Sequence, residues 1–132
     1  MAKILVVDDD DMIRKLLKTF LTGKGYEVLT AASGGEALAK IKEGPAIVLP
    51  DISMPGMDGL SVLDRIKETA PATEVIMVTG LSENAVALES IRRGAFEYIT
   101  KPIDLNQFMK VVQSIEDFWL CIVKLPPGGG KR

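Results

Sequence analysis

Five side chains with acid, hydroxyl or amine chemistry each follow a short apolar run. Asp8 and Asp9 follow Ile4-Leu5-Val6-Val7, Asp51 follows Ala46-Ile47-Val48-Leu49-Pro50, Thr79 follows Val75 to Val78, and Lys101 closes Tyr98-Ile99-Thr100. If the runs are parallel strands, their carboxyl ends share one sheet edge, and open α/β sheets bind ligands in the crevice beyond that edge. Three carboxylates brought together repel one another, which raises their pKa values or demands a counter-ion. An all-oxygen ligand set suits a hard divalent cation such as Mg2+, which keeps several waters and binds through few carboxylates. With that charge absorbed, Asp51 is suited to attack phosphorus as a nucleophile, while Lys101 and the Thr79 hydroxyl hold phosphoryl oxygens. Taken singly, each residue is explained by a strand end meeting solvent; five on four strand ends are not.

The chain has no histidine. That removes Ser-His-Asp and Cys-His hydrolysis, His-ligated zinc and a phosphohistidine formed on this chain itself.

The elements that must position these residues follow from hydrophobic periodicity. The runs Ile4 to Val7, Tyr26 to Leu29, Ala46 to Leu49, Val75 to Val78 and Phe96 to Ile99 lack clean two-residue alternation, as strands buried on both faces do. Between them, Met12, Ile13, Leu16, Leu17, Phe20 and Leu21 repeat at helical spacing and stop at Gly23. Ser33 with Glu36 reads as a capping box opening a second helix through Leu38 and Ile41, ended by Gly44 and Pro45. A third helix is expected from about Gly59 to Thr69, and a fourth opens at Ser82, carries Ala85, Leu88 and Ile91, and ends in Arg92 and Arg93. Asp104 with Gln107 repeats the capping spacing ahead of Leu105, Phe108, Val111, Val112 and Ile115. Pro55, Gly56 and Gly59 read as a tight turn with glycines permitting φ > 0. The β-α-β-α order predicts an α/β fold, a parallel sheet with helices on both faces and right-handed connections.

The 132 residues suffice for one domain, and 47% hydrophobic with 26% charged residues is globular composition. With 16 Lys+Arg against 18 Asp+Glu the chain is no basic nucleic-acid binder, and a lone Cys121 forms no internal disulfide. The start MAKILVVDDDD puts four acids where a secretory signal needs apolar residues, so a cytoplasmic location is expected. The longest apolar run, Phe118 to Val123, falls far short of the roughly 20 residues that span a bilayer.

Four motifs, in this order and spacing, make the chain resemble the receiver domain of two-component response regulators. They are Ile4-Leu5-Val6-Val7-Asp8-Asp9, Asp51-Ile52-Ser53-Met54-Pro55-Gly56-Met57-Asp58-Gly59, Thr79-Gly80 and Tyr98-Ile99-Thr100-Lys101-Pro102. The resemblance runs from about Lys3 to Asp117. It implies a flavodoxin-like doubly wound sheet of five strands in the order 2-1-3-4-5. It also implies that Asp51 is the phosphoacceptor, with Mg2+ held by Asp9 directly, by Asp8 largely through water, by Asp51 and by the Ser53 backbone carbonyl. In the same way it makes Lys101 the phosphate partner, Thr79 the switch hydroxyl and Tyr98 an aromatic switch that turns inward as Thr79 moves. The implied phosphoryl donor is a histidine kinase or phosphotransfer protein acting in trans, and the implied output is binding to a downstream protein. Lys101-Pro102 is where the family has a cis peptide.

Two residues depart from the family pattern. Pro50 occupies the strand leading to Asp51 and donates no ladder hydrogen bond, and Ala46 stands where an aspartate is common. They keep open a degenerate receiver that acts as a phosphate-independent interaction module. A Mg2+-dependent aspartyl phosphohydrolase shares the acidic site, but its usual Asp-x-Asp marker is here Asp51-Ile52-Ser53. Residues 1–119 are expected to form the receiver, and 120–132 an apolar then Pro/Gly-rich tail that extends the last helix, docks back on the domain or forms a homodimer contact with the last helix. The closing Gly128-Gly129-Gly130-Lys131-Arg132 is not a P-loop, lacking the Gly-x-x-x-x-Gly-Lys-Ser/Thr pattern.

Overall fold

A computed structural model of the chain describes residues 2–52, 54, 58–80 and 84–124, with side chains through 119. Five strands, β1 (Lys3–Val7), β2 (Glu27–Ala31), β3 (Ile47–Pro50), β4 (Glu74–Thr79) and β5 (Glu97–Thr100), alternate with α1 (Asp11–Gly23), α2 (Gly34–Lys40), α3 (Gly59–Thr69), α4 (Asn84–Arg92) and α5 (Leu105–Lys124). The strands form one parallel sheet in the order β2-β1-β3-β4-β5, as expected from the resemblance. Residues 1–102 make one compact unit and residues 103–132 a second.

The order fixes where the helices of the first unit lie. From β1 to β2 the chain steps one way across the sheet, and from β2 onward it steps the other way. Right-handed crossovers therefore place α1 on one face and α2, α3 and α4 on the opposite face. The core on that second face joins Leu5, Val7, Val48, Val75 and Met77 of the sheet to Ala37 of α2 and Val62, Leu63 and Ile66 of α3. The direction reverses between β1 and β3, so the crevice beyond their carboxyl ends is the topological switch point.

The capping signals act as their spacing predicts. Ser33 Oγ accepts from the Glu36 N–H at 3.2 Å, and Glu36 reaches back to the Ala32 N–H at 3.0 Å. Asp104 Oδ1 accepts from the N–H groups of Asn106 and Gln107 at the head of α5. Helix α2 is shorter than expected, since Ile41 to Glu43 tighten into a 3-10 turn before Gly44, whose φ of 72° ends it. Strands β2, β3 and β5 start one residue later than the apolar runs, and ahead of β2 the Tyr26 N–H bonds back to Leu21 of α1.

Helical period located α1 and α4 but not their buried sides. In α1, Leu17 and Leu21 are buried while Met12 and Leu16 are 79% and 57% exposed. In α4, Ala87 and Ser90 are buried while Leu88 and Ile91 face solvent. The expected opening of α4 at Ser82 lies outside the described residues, as do Pro55, Gly56 and the tail beyond Lys124.

Pro50 leaves a local mark on the sheet. β3 and β4 pair at Ile47↔Glu74 and Val48↔Val75, and the same register resumes only at an isolated bridge, Asp51↔Val78. Ile52 donates to the Val78 carbonyl, so the two-residue alternation turns the Pro50 nitrogen toward the carbonyl of fully buried Ile76. The missing rung is the one that needs an N–H at residue 50. Restoring it with Pro50→Val contributes a hydrogen bond of about 1 kcal/mol and relieves a buried carbonyl, against roughly 0.4–1 kcal/mol of added unfolded-chain entropy. The net expectation is a higher urea midpoint at unchanged m-value.

Candidate functional site

The site assembles at the switch point from the loops that leave the strands. Asp8 follows β1, its N–H donating to the Ala31 carbonyl at 3.1 Å. Asp51 follows β3, its N–H donating to the Val7 carbonyl at 3.0 Å. Both carboxyl residues are buried, at 3% and 4% exposure, whereas Asp9 is exposed. Carboxylate oxygens of Asp8, Asp9 and Asp51 lie within 4.8 Å of one another. Lys101 enters from the end of β5, its Nζ donating to Asp51 Oδ2 at 2.7 Å and lying 3.6 Å from Asp8 Oδ2. The Lys101-Pro102 peptide is cis. Four of the residues named from sequence are thus in one cluster.

Its electrostatics are those of an acidic pocket with one internal cation. Burial pushes the Asp8 carboxyl above its ordinary value, the Asp10 N–H at 2.9 Å pulls it down, the Asp51 charge raises it, and Lys101 lowers it. For Lys101 burial works against the ammonium, but the hydrogen bond and charge of Asp51 and the charge of Asp8 prevail, so its pKa is raised. A carboxyl whose pKa rises on folding favours the fold below its unfolded value, and that contribution is lost as pH climbs through the folded value. Above that folded value the ionised Asp8 costs stability. The raised lysine favours the fold until pH passes its folded pKa.

The donor set fits a hard divalent cation. Three carboxylates within reach of one ion, two buried and one exposed, give oxygen ligands, excess negative charge and a solvent-facing side that retains waters.

Thr79 ends β4, the neighbour of β3. Its residue is fully buried, and its Oγ1 has no hydrogen-bond partner among the described residues. A buried unpaired hydroxyl costs about 1–3 kcal/mol, so the fold tolerates it without internal reward. Thr79→Val, of the same shape, is expected to raise stability by about 1 kcal/mol in urea unfolding. Tyr98 lies opposite Met77 on β5, half-buried and packed against the apolar core of the α2/α3 face. Ser53, named for its backbone carbonyl, lies outside the described residues.

Two residues matter to the site in ways the sequence did not indicate. Gly59 was expected to serve a turn through positive φ, and that expectation is corrected. Positive φ among the described glycines falls at Gly25, Gly44 and Gly94, whereas Gly59 opens α3 behind the N-cap Asp58. A Cβ on Gly59 would lie 2.6 Å from the Asp51 carbonyl oxygen and 2.7 Å from Ile52 Cα. Arg14 is the second, its Nη1 donating to the Asp8 main-chain carbonyl at 2.6 Å. Its three-residue spacing from Asp11 was the available signal.

A family model, the response regulator receiver domain, matches residues 4–113. The DNA-binding transcriptional regulator NtrC of Klebsiella pneumoniae is 42% identical over 108 residues, 81% of this chain and 23% of that protein. The response regulator PleD of Caulobacter vibrioides is 39% identical over 127 residues, 94% of this chain and 28% of that protein. The chain thus spans about a quarter of the length of these curated relatives. Among solved structures, a response regulator receiver domain protein from Clostridium thermocellum matches with a TM-score of 0.84 at 34% identity, covering 92% of this chain and 99% of that one. The receiver domain of NtrX from Brucella abortus matches at 0.79 and 38%, covering 84% and 95%.

Proposed function

Because this chain belongs to the response regulator receiver domain family, we propose that it is a phosphorylation-dependent switch whose Asp51 accepts a phosphoryl group from a histidine kinase or phosphotransfer protein. The observation that carries this reading is the buried Asp51 carboxylate with Lys101 Nζ at 2.7 Å and two further carboxylates beside it. An Asp51 carboxylate oxygen forms the new bond to phosphorus as the phosphorus–nitrogen bond of the donor phosphohistidine breaks, its electron pair remaining on the imidazole. The Lys101 ammonium turns from Asp51 to the arriving phosphoryl oxygens. The Thr79 hydroxyl, without a partner in the sheet, is the donor that moves to the phosphoryl group, and Tyr98 follows it inward. These contacts favour one conformer over the other, which is how the modification shifts the population.

Asp8, Asp9 and Asp51, with the Ser53 carbonyl, are the residues that would hold Mg2+. When bound, the cation neutralises charge and polarises the phosphoryl oxygens. The chain is a phosphoacceptor without independent substrate turnover, and its output is binding to a downstream protein. Residues 1–119 form the receiver, and the segment from residue 120, which continues α5 as far as Lys124, takes part with it in a homodimer contact. No direct nucleic-acid contact is assigned to it. Among the described residues no helix is long and apolar enough to cross a membrane, and we place the protein in the cytoplasm.

The gap that Pro50 leaves in the β3–β4 ladder favours one second reading, a degenerate receiver that binds partners without phosphate. Intact mass after incubation with acetyl phosphate separates the readings. A single Mg2+-dependent phosphoryl adduct supports the switch, whereas a folded, Mg2+-binding protein without adduct supports the degenerate module. Release of many equivalents of phosphate would instead indicate a phosphohydrolase.

A further inference from the structure

The run Asp8-Asp9-Asp10-Asp11 divides its labour. Asp8 and Asp9 face the site, while Asp10 caps α1, its Oδ1 accepting from the Met12 and Ile13 N–H groups at 2.9 and 3.3 Å. Asp11 pairs with Arg14 Nη2, leaving Nη1 to donate to the Asp8 main-chain carbonyl at 2.6 Å. The Arg14 side chain is only 18% exposed, and a charge-assisted hydrogen bond of this length is a strong one.

The atom that Arg14 holds matters more than its charge. The Asp8 carbonyl belongs to the planar peptide that joins Asp8 to Asp9. Fixing its direction fixes that plane, and with it the positions from which both carboxylates project. By binding the carbonyl, the guanidinium also leaves the Asp8 carboxylate to other partners: Oδ1 accepts from the Asp10 N–H, and Oδ2 faces Lys101. A guanidinium bound directly to that carboxylate would compete with a cation. This arrangement orients the ligands without occupying them, as groups outside a metal's own ligands commonly do.

We propose that Arg14 is a positioning residue for the divalent cation, setting the Asp8-Asp9 peptide before the ion arrives. The proposal rests on the reading that Asp8 and Asp9 hold that cation. It is tested on the full chain with Arg14→Met and Arg14→Lys by Mg2+ titration calorimetry, by metal-free amide NMR spectra, and by phosphorylation rate from acetyl phosphate. Thermal unfolding in EDTA checks that each variant is folded. Arg14→Met should weaken Mg2+ binding about 10-fold, and Arg14→Lys should recover part of the loss. The Asp9 and Asp10 amide signals should shift already without metal, and the phosphorylation rate should return close to wild type at saturating Mg2+. Should Arg14→Met fail to fold, Arg14→Lys carries the test through a smaller loss of affinity and the same amide shifts.

A folded variant with wild-type Mg2+ affinity, or with unmoved Asp9 and Asp10 amides, overturns the role given to Arg14. A rate that stays low at saturating Mg2+ does the same, because the residue would then act on phosphoryl transfer directly. If the wild-type chain itself binds no Mg2+, the reading of the site fails, and the metal-free amide spectra still decide whether Arg14 orders the turn.

Discussion

Gly59→Ala is expected to destabilise the protein by about 3 kcal/mol and to lower phosphorylation of Asp51 with it. The two nearest atoms the added methyl meets are backbone, the Asp51 carbonyl oxygen at 2.6 Å and Ile52 Cα at 2.7 Å, and only the third, Met77 Cε at 2.9 Å, belongs to a flexible side chain. The Gly59 N–H donates to the Ile52 carbonyl at 3.1 Å, so α3 begins directly against the segment that carries Asp51. Relief requires α3 or the Asp51-Ile52 backbone to shift, and a shift of that backbone displaces the Asp51 carboxylate from Lys101. Gly35→Ala is the control, since its Cβ meets nothing within 4 Å in the exposed part of α2. Alanine there should be neutral or stabilising by up to about 1 kcal/mol. Urea unfolding of the two variants checks the contrast; equal midpoints would mean that the close approach at Gly59 is not rigid.

Lys101→Met is expected to slow phosphorylation from acetyl phosphate by about 100-fold, the usual scale for losing one charged donor to a developing phosphoryl or oxyanion charge. The ammonium is the cation that faces both Asp51 and Asp8, so its loss also drives the Asp8 carboxyl further upward. Mg2+ binding should survive, because Lys101 supplies no ligand to a cation. Stopped-time mass measurements at saturating Mg2+ give the rate, and calorimetry gives the affinity. A rate within a few-fold of wild type would remove Lys101 from the transfer step.

Much of the site was legible because its chemistry sits where strands end, and strand ends can be read from apolar runs. Asp8, Asp51 and Lys101 needed only the inference that parallel strands share an edge, and Asp51 and Lys101 indeed meet at 2.7 Å although 50 residues apart. The strand order came from the resemblance, since periodicity does not specify neighbours. Residues whose importance lies in space rather than type stayed hidden. Gly59 looks like any turn glycine, and the lack of room for a Cβ exists only once α3 packs beside Asp51. Arg14 looks like one more surface cation on α1 until its guanidinium is seen on the Asp8 carbonyl. Period also does not tell which edge of a wide apolar stripe is buried: Met12, Leu16, Leu88 and Ile91 keep the helical spacing yet face solvent. The cost of Pro50 was legible as a missing donor, but the rung it removes, toward β4 rather than β1, required the register.

The central claim is that Asp51 is the residue that takes the phosphoryl group, and chemical trapping tests it most directly. The wild-type chain and Asp51→Asn are incubated with acetyl phosphate and Mg2+, reduced with borohydride to convert an acyl phosphate to its alcohol, and mapped by peptide mass. One modified residue at Asp51 in the wild type, with no modified peptide in Asp51→Asn, is the predicted result. Modification at another carboxylate in the wild type, or an adduct that persists undiminished in Asp51→Asn, would contradict it.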